Sequence, residues 1–498
     1  MNRMPLNYVL IRWSLVGLAA LLAVIVLFVY APSLSNEFVN WDDGKLIYNN
    51  ETVKNFSWES IKTAWTTFDP ELYIPLTRFS YQVEYFIFAH NPFYFHLTDL
   101  LLHIINTILV FWLLLVLTGK RSISFFVALL FGIHTLNVEA VAWASARKDV
   151  LSSFFFLLSM VSYAMFMMKS RKKKYYIWSL LAFFLGLLSK VSIVVLPVLL
   201  LLIEYWKQGE IRRRDVLIKW PFFLIATIFG CIAIVGKTQN ILWLSTWDVF
   251  LLACRSTVFY FEKLVAPLHL SAFYHEHAAI TLSSATYFVP LLILIFLLIG
   301  VVFSLRWTRL ISFCSLWFMI LLVPSFSTFI KGGEVFFASD RYVYLAAIGF
   351  FLLVVSAVYA AVQRMQIKHA SHIAMGVLCA VSLWFASLTH TQSLVWKDTM
   401  TLFESAVESR PDVFFSQHNL GWMYFVEGDM DRAIAHLHNA IEIDPTNARA
   451  HSNLGFIYGE KGMYEEALHH ALKALELDPE KKDAFEEAER MVREAKKD

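Results

Sequence analysis

Two adjacent carboxylates, Asp42 and Asp43, close the run Asn36-Glu37-Phe38-Val39-Asn40-Trp41-Asp42-Asp43, which follows the first hydrophobic segment. A carboxylate at a membrane boundary is costly unless a cation, a metal or a chemical task holds it. The plainer alternative is an interfacial tryptophan followed by ordinary turn acids. Three further polar groups stand near the ends of otherwise apolar segments: His134 to Trp143, with Glu139 inside it and Arg147-Lys148-Asp149 after it; Ser189-Lys190; and Asp340-Arg341-Tyr342. Each alone reads as a solvated helix end. Together they set carboxylates against several cations, the composition of an acid–base site for a phosphate-bearing lipid. Arg147, Lys148, Lys190 and Arg341 would bind and neutralise a phosphate leaving group. Asp42 or Asp43 would take the proton from an incoming hydroxyl. His134, Glu139, Asp149, Asp340 and Tyr342 are expected in support. His96 and His103, on one face of a helix, either line the same cavity or make polar contacts between spans.

Composition explains why such groups need positioning inside a membrane. The 498 residues are 58% hydrophobic and 16% charged, against about 25% charged in soluble domains. The net charge of +2 carries no nucleic-acid signal, because the basic residues are clustered between apolar segments. Cys231, Cys254, Cys314 and Cys379 lie within such segments and read as small buried hydrophobes. His275-Glu276-His277 alternates like a metal site, but an isolated His-x-His in a loop is ordinary polar surface. No metal and no cofactor are expected, and a divalent ion is not supported.

About eleven spans are expected, near residues 13–30, 96–118, 122–145, 149–168, 174–189, 191–206, 216–236, 286–305, 310–330, 341–362 and 370–388, each close to the ~20 residues a bilayer requires. The segment 249–266 is apolar but holds Arg255, Glu262 and Lys263, so it reads as interfacial or re-entrant. With the N-terminus inside, the clusters Lys120-Arg121, Lys169 with Arg171-Lys172-Lys173-Lys174, Lys207 with Arg212-Arg213-Arg214, Arg306 with Arg309, and Arg364 with Lys368 all fall on the cytoplasmic side, as the positive-inside rule asks. The four polar groups then gather on the outer face. The first external loop is 31–95, with a surface helix over 58–68 capped by Ser57.

After the last span the chain is charged and periodic. Leu420-Gly421, Tyr424, Ala433, Ala440 and Pro445 recur as Leu454-Gly455, Tyr458, Ala467, Ala474 and Pro479, 34 residues later. That period, with small residues where two helices cross and proline ending the second, is the tetratricopeptide pattern. Phe403, Ala406 and Pro411 fit a preceding half repeat. The expected domains are 1–390 in the membrane and 391–498 as a short solenoid. The solenoid serves either as a peptide-binding groove or as an assembly element.

The run Phe38-Val39-Asn40-Trp41-Asp42-Asp43, with Pro75-Leu76-Thr77, Asn91-Pro92-Phe93, Phe95-His96-Leu97-Thr98, His103 and Asn106, resembles bacterial relatives of the transmembrane and tetratricopeptide-repeat O-mannosyltransferases of animals. Arg147-Lys148-Asp149-Val150-Leu151-Ser152, Ser189-Lys190 and Asp340-Arg341-Tyr342-Val343-Tyr344-Leu345 add to the resemblance. It implies an all-α, GT-C-like helical membrane domain followed by the repeats. It also implies a polyprenyl-phosphate sugar donor and a catalytic acidic pair, which Asp42 and Asp43 match. Arg147, Lys148 and Arg341 match basic positions near the donor phosphate. The chain departs from the family's pattern at Thr135, Asn137 and Ala140. The expected activity is transfer of a sugar, mannose being the first candidate, to a hydroxyl of a protein or glycan outside a bacterial inner membrane. The alternative is a non-catalytic scaffold holding envelope partners on its repeats.

Overall fold

The computed structural model describes residues 6–68, 72–168, 171–236, 244–276, 279–331, 334–366 and 369–495. Two compact units form: Met1–Leu268 with Glu276–Lys397, and His269–His275 with Asp398–Asp498. The helix Ala370–Val395 carries the first unit past residue 390.

Among the described residues of the first unit, eight helices are long and apolar enough to cross a membrane: Ser14–Ser35, Pro92–Thr118, Ala144–Met168, Val191–Gln208, Ala285–Ser304, Arg309–Phe326, Ala347–Arg364 and Ala370–Val395. A ninth forms if the bent pair Arg121–Ile133 and Thr135–Ala142 counts as one. Two 17-residue helices, Lys173–Ser189 and Trp220–Gly236, stand where the other two expected spans lie. The protein is a multi-pass membrane protein. The helix Thr246–Val265 is not among the candidate spans; its Arg255 pairs with Glu276 and stacks 3.8 Å from the Phe337 ring centroid. The surface helix runs Trp58–Thr66, with a capping box at Ser57.

One expected span is not continuous. The run 122–145 bends by 53° at His134, whose backbone is extended. Breaking a helix frees carbonyls that hydrocarbon cannot satisfy, and here three of them meet side chains from the bend and from other helices. Asn137 Nδ2 donates to the Phe131 carbonyl (2.6 Å), His103 Nε2 lies 2.9 Å from that of Gly132, and Thr389 Oγ1 donates to that of Ile133 (2.7 Å). His134 itself caps the next turn, its Nδ1 3.3 Å from the Leu136 amide. A Cβ on Gly132 would sit 2.8 Å from Thr107 and Val26 side-chain atoms, so the close crossing at the bend depends on that glycine. A second break, extended at Trp143, leads through the short turn Ala144–Ala146 into the long helix from Arg147.

In the second unit the helices Thr399–Ser409, Phe414–Val426, Met430–Ile443, Ala448–Glu460, Tyr464–Leu477 and Lys482–Ala495 alternate as the period predicts. A Cβ on Gly421 would lie 3.1 Å from the Ala433 carbonyl, and one on Gly455 3.0 Å from that of Ala467. The same close crossing therefore recurs once per repeat. Phe273 stacks on Phe403, with centroids 5.7 Å apart.

Candidate functional site

The breaks bring polar side chains together. A cavity of about 710 Å³ in the membrane unit has Asp42, Lys45, Lys148, Asp149, Lys190 and Arg341 as its charged lining, with Tyr342 and several serines beside them. Val191, Ile193, Ile234, Leu321, Phe326 and Phe329 belong to its apolar wall. Lys190 and Arg341 each owe their place to a short turn. Lys190 is extended between the helix ending at Ser189 and the turn Val191–Val195. Arg341 lies in the turn Asp340–Val343.

The cations differ in how they are held. Arg341 pairs with Glu139, and its Nε lies 3.8 Å from Asp149 Oδ2. Glu139 also accepts from the Ser339 hydroxyl (2.8 Å) and the Arg341 amide (2.9 Å), which ties the turn down. Burial disfavours the Arg341 charge, but Glu139, Tyr342 and Asp149 outweigh it, and the guanidinium stays above its ordinary value. Lys190 pairs with Asp149 and lies 5.6 Å from the Tyr342 ring centroid. Lys148 Nζ donates to the Ser145 carbonyl (2.6 Å) and lies 5.3 Å from the Trp143 ring. Among the described residues Lys148 forms no ion pair.

Arg147 is placed elsewhere. It is 1% exposed, paired with Glu84 and with Asp99 (2.8 Å), and its Nη2 donates to the Phe95 carbonyl (2.9 Å). That guanidinium neutralises two buried acids and does not line the cavity. The acidic pair divides in the same way. Asp42 lines the cavity, whereas Asp43 is fully buried behind it. Asp43 accepts from the Val39 amide (2.9 Å), the Ser145 amide (3.0 Å) and the Ser145 hydroxyl. Burial pushes its carboxyl up to about 6, against the pull of the Ser145 and Val39 hydrogen bonds and with the repulsion of Asp42.

The supporting residues frame this arrangement. His103 Nδ1 lies 2.7 Å from the Tyr344 hydroxyl, and Tyr344 lines the cavity. Asn106 donates to the same hydroxyl (3.1 Å). His96, His134 and Asp340 are buried and do not line the cavity; His134 Nε2 is 3.2 Å from the Leu264 carbonyl, and its ring meets Phe385 edge-on. Glu84, Asp99 and Ser145 enter only with the structure. Asp99, a lone acid in an apolar run, carried a signal: such an acid demands a cation. His277, Lys169 and Lys368 lie outside the described residues. Among the described residues, no group of three or more His, Cys, Asp or Glu side chains could hold a metal ion.

Comparison with known proteins agrees with the resemblance read from the sequence. Family models described as TPR repeat and tetratricopeptide repeat match residues 421–462 and 448–481. Protein O-mannosyl-transferase TMTC1 of Mus musculus is 34% identical over 161 residues, which is 30% of this chain and 17% of that protein. Protein O-mannosyl-transferase F38B6.6 of Caenorhabditis elegans is 24% identical over 463 residues, 86% of this chain and 63% of its own length. The chain thus spans less than two thirds of these curated relatives. Among solved structures, ArnT from Cupriavidus metallidurans bound to undecaprenyl phosphate gives a TM-score of 0.38 at 12% identity, covering 82% of this chain and 80% of that one.

Proposed function

We propose that this chain is a membrane glycosyltransferase that moves a sugar from a polyprenyl phosphate to an acceptor hydroxyl. The observation that supports the reading best is the cavity. Asp42 faces a space that Lys148, Lys190 and Arg341 also line, and Val191, Ile193, Ile234, Leu321, Phe326 and Phe329 give that space an apolar wall. A lipid phosphate has this shape: a charged head for the cations and a hydrocarbon chain for the apolar wall. Asp42 takes the proton as the acceptor oxygen bonds to the sugar's anomeric carbon. The bond from that carbon to the phosphate oxygen breaks, and polyprenyl phosphate leaves with its charge matched by the three cations. The named relatives favour mannose and a protein acceptor. The basic clusters favour a bacterial inner-membrane orientation with the cavity and repeats on the extracytoplasmic face.

The scaffold reading has its own support. Trp422, Phe425 and Phe456 form an aromatic group on the repeats, with centroids 5.3 to 6.4 Å apart, and Phe456 is exposed. That surface suits a protein partner, and under the transferase reading it suits the acceptor protein. Purified protein in nanodiscs, given labelled polyprenyl-phosphate mannose and a hydroxyl-bearing peptide, separates the two. Sugar transfer is expected. Absence of both transfer and donor binding, with partner capture intact, leaves the scaffold.

A further inference from the structure

We propose that Asp43 is a positioning residue, a latch that ties the first loop to the Ala144–Ala146 turn and, through Ser145, sets the Lys148 ammonium for the donor phosphate. The inference rests on the cavity being the donor site. Its physical content is a chain of contacts. Both Asp43 oxygens are engaged, one by the Val39 amide at 2.9 Å and the other by the amide and hydroxyl of Ser145. The Ser145 carbonyl in turn receives Lys148 Nζ at 2.6 Å. Two neighbours brace the same turn: the Tyr81 hydroxyl donates to the Ala144 carbonyl (2.8 Å), and Trp41 meets Trp143 edge-on at 6.0 Å. Asp43 is 0% exposed and absent from the cavity wall. An acceptor hydroxyl in the cavity has no path to its oxygens, so Asp43 cannot serve as the base.

The latch needs the anion. The carboxylate accepts all three hydrogen bonds with the assistance of its charge, and a proton on either oxygen removes that charge and takes one lone pair, so the contacts weaken. The titratable groups around it are Asp42 beside it in the loop, Tyr48 in the following turn, Tyr81 on the helix Pro75–Phe88 and Asp99 on the helix Pro92–Thr118. None supplies a cation. Since burial raises the Asp43 carboxyl to about 6, the latch is present above that pH and released as pH falls through it.

The test compares Asp42→Asn, Asp43→Asn and the milder Ser145→Ala in the full chain. Hydrogen exchange is read on the peptide covering 143–149, and binding is read with sugar-free polyprenyl phosphate. Asp43→Asn and Ser145→Ala should speed exchange there and weaken binding by about ten-fold, the cost of one hydrogen bond to a charged group. Asp42→Asn should leave the exchange as in the parent and should not weaken binding, since it removes a negative charge that faces the phosphate. Parent exchange in 143–149, corrected for the intrinsic rate at each pH, should speed up between pH 7 and pH 5, and Asp43→Asn should lack that step. Donor binding is compared at one pH, because the phosphate monoester itself titrates at about pH 6. If Asp43→Asn keeps the parent's exchange and affinity yet loses turnover, Asp43 is in the chemistry and the latch is refuted. If the parent binds no polyprenyl phosphate, the donor reading fails, while the exchange contrast still decides for or against the latch.

Discussion

Two charge clusters stand at the two ends of the helix Val191–Gln208, about 20 Å apart at 1.5 Å per residue. One is the cavity group next to Lys190. The other surrounds Glu204, in the last turns of the helix, where every strong contact closes on itself. Glu204 Oε1 accepts from Lys219 Nζ (2.9 Å) and the Tyr163 hydroxyl (2.6 Å), and Gln208 takes Oε2. Arg171 bridges to Asp215 at 3.2 Å, and Lys219 also donates to the Asp215 carbonyl (2.9 Å). Glu204 and Lys219 are fully buried. The Glu204 cluster pins helices together, and its Glu204 and Lys219 are engaged by neighbouring helices and do not line the cavity. In the cavity cluster Lys148 has no carboxylate of its own, and Asp42, Lys190 and Arg341 share the open space. Charge alone does not mark a site in a membrane domain; charge left open to a cavity does.

The largest effect that sharpens this contrast belongs to Asp42. A positioned general base contributes about 10²- to 10⁴-fold. Asp42→Asn should therefore reduce transfer by at least two orders of magnitude, with yield and melting close to the parent and no loss of donor affinity. Retention of most of the turnover would remove Asp42 from the chemistry.

Next comes the closed cluster. Glu204→Ala leaves Lys219 buried without its carboxylate, and losing one partner of a buried pair costs about 3–5 kcal/mol. The expected outcome is a fall in melting temperature and in the monodisperse fraction in detergent, with the donor affinity of the surviving folded protein unchanged. A variant that melts like the parent but binds donor poorly would reverse the roles given to the two clusters.

Arg341→Ala is a smaller change of the opposite kind. A charge-assisted contact is worth about 1.5–3 kcal/mol, so affinity for sugar-free polyprenyl phosphate should fall roughly ten-fold to a hundred-fold. Glu139 keeps its Ser339 and backbone partners, which limits the structural damage. Parent-like affinity would place the phosphate elsewhere.

These contrasts also show what the sequence could carry. Polar residues at the ends of apolar runs are visible as interruptions, and Asp42, Lys148, Lys190, Arg341 and Tyr342 do converge although they come from four separate stretches. The fates of neighbours were not visible. Arg147 and Lys148 read alike, but adjacent helical residues point about 100° apart, one toward Glu84 and Asp99 and the other toward Ser145. Asp42 and Asp43 read as a pair, yet the group that claims Asp43 lies 102 residues away. The bend at His134 lies in a run that reads as one span, and two of the donors that permit it, His103 and Thr389, come from other helices. The repeats were fully legible, since their contacts are local and their period is written out twice.

The smallest expected effect tests that last difference. Gly455 belongs to the repeat crossing, where an added Cβ would meet the Ala467 carbonyl at 3.0 Å and the Ala471 nitrogen at 3.1 Å. Both are backbone atoms, so neither can rotate away, and one helix must shift outward by a few tenths of an ångström. Overpacking of this kind costs about 1–3 kcal/mol. The strain falls in a solenoid whose units contact mainly their sequence neighbours. Gly455→Ala should therefore lower protection from proteolysis and hydrogen exchange within Ala448–Glu460 and Tyr464–Leu477, and leave exchange in 143–149 and donor binding as in the parent. Gly428, by contrast, has positive φ (+88°) and open space around its Cβ, so Gly428→Ala strains the backbone without crowding a neighbour. Comparing the two variants separates the crossing from the turn. If Gly455→Ala is as protected as the parent, the 34-residue repeat of small residues is not what sets the helix spacing.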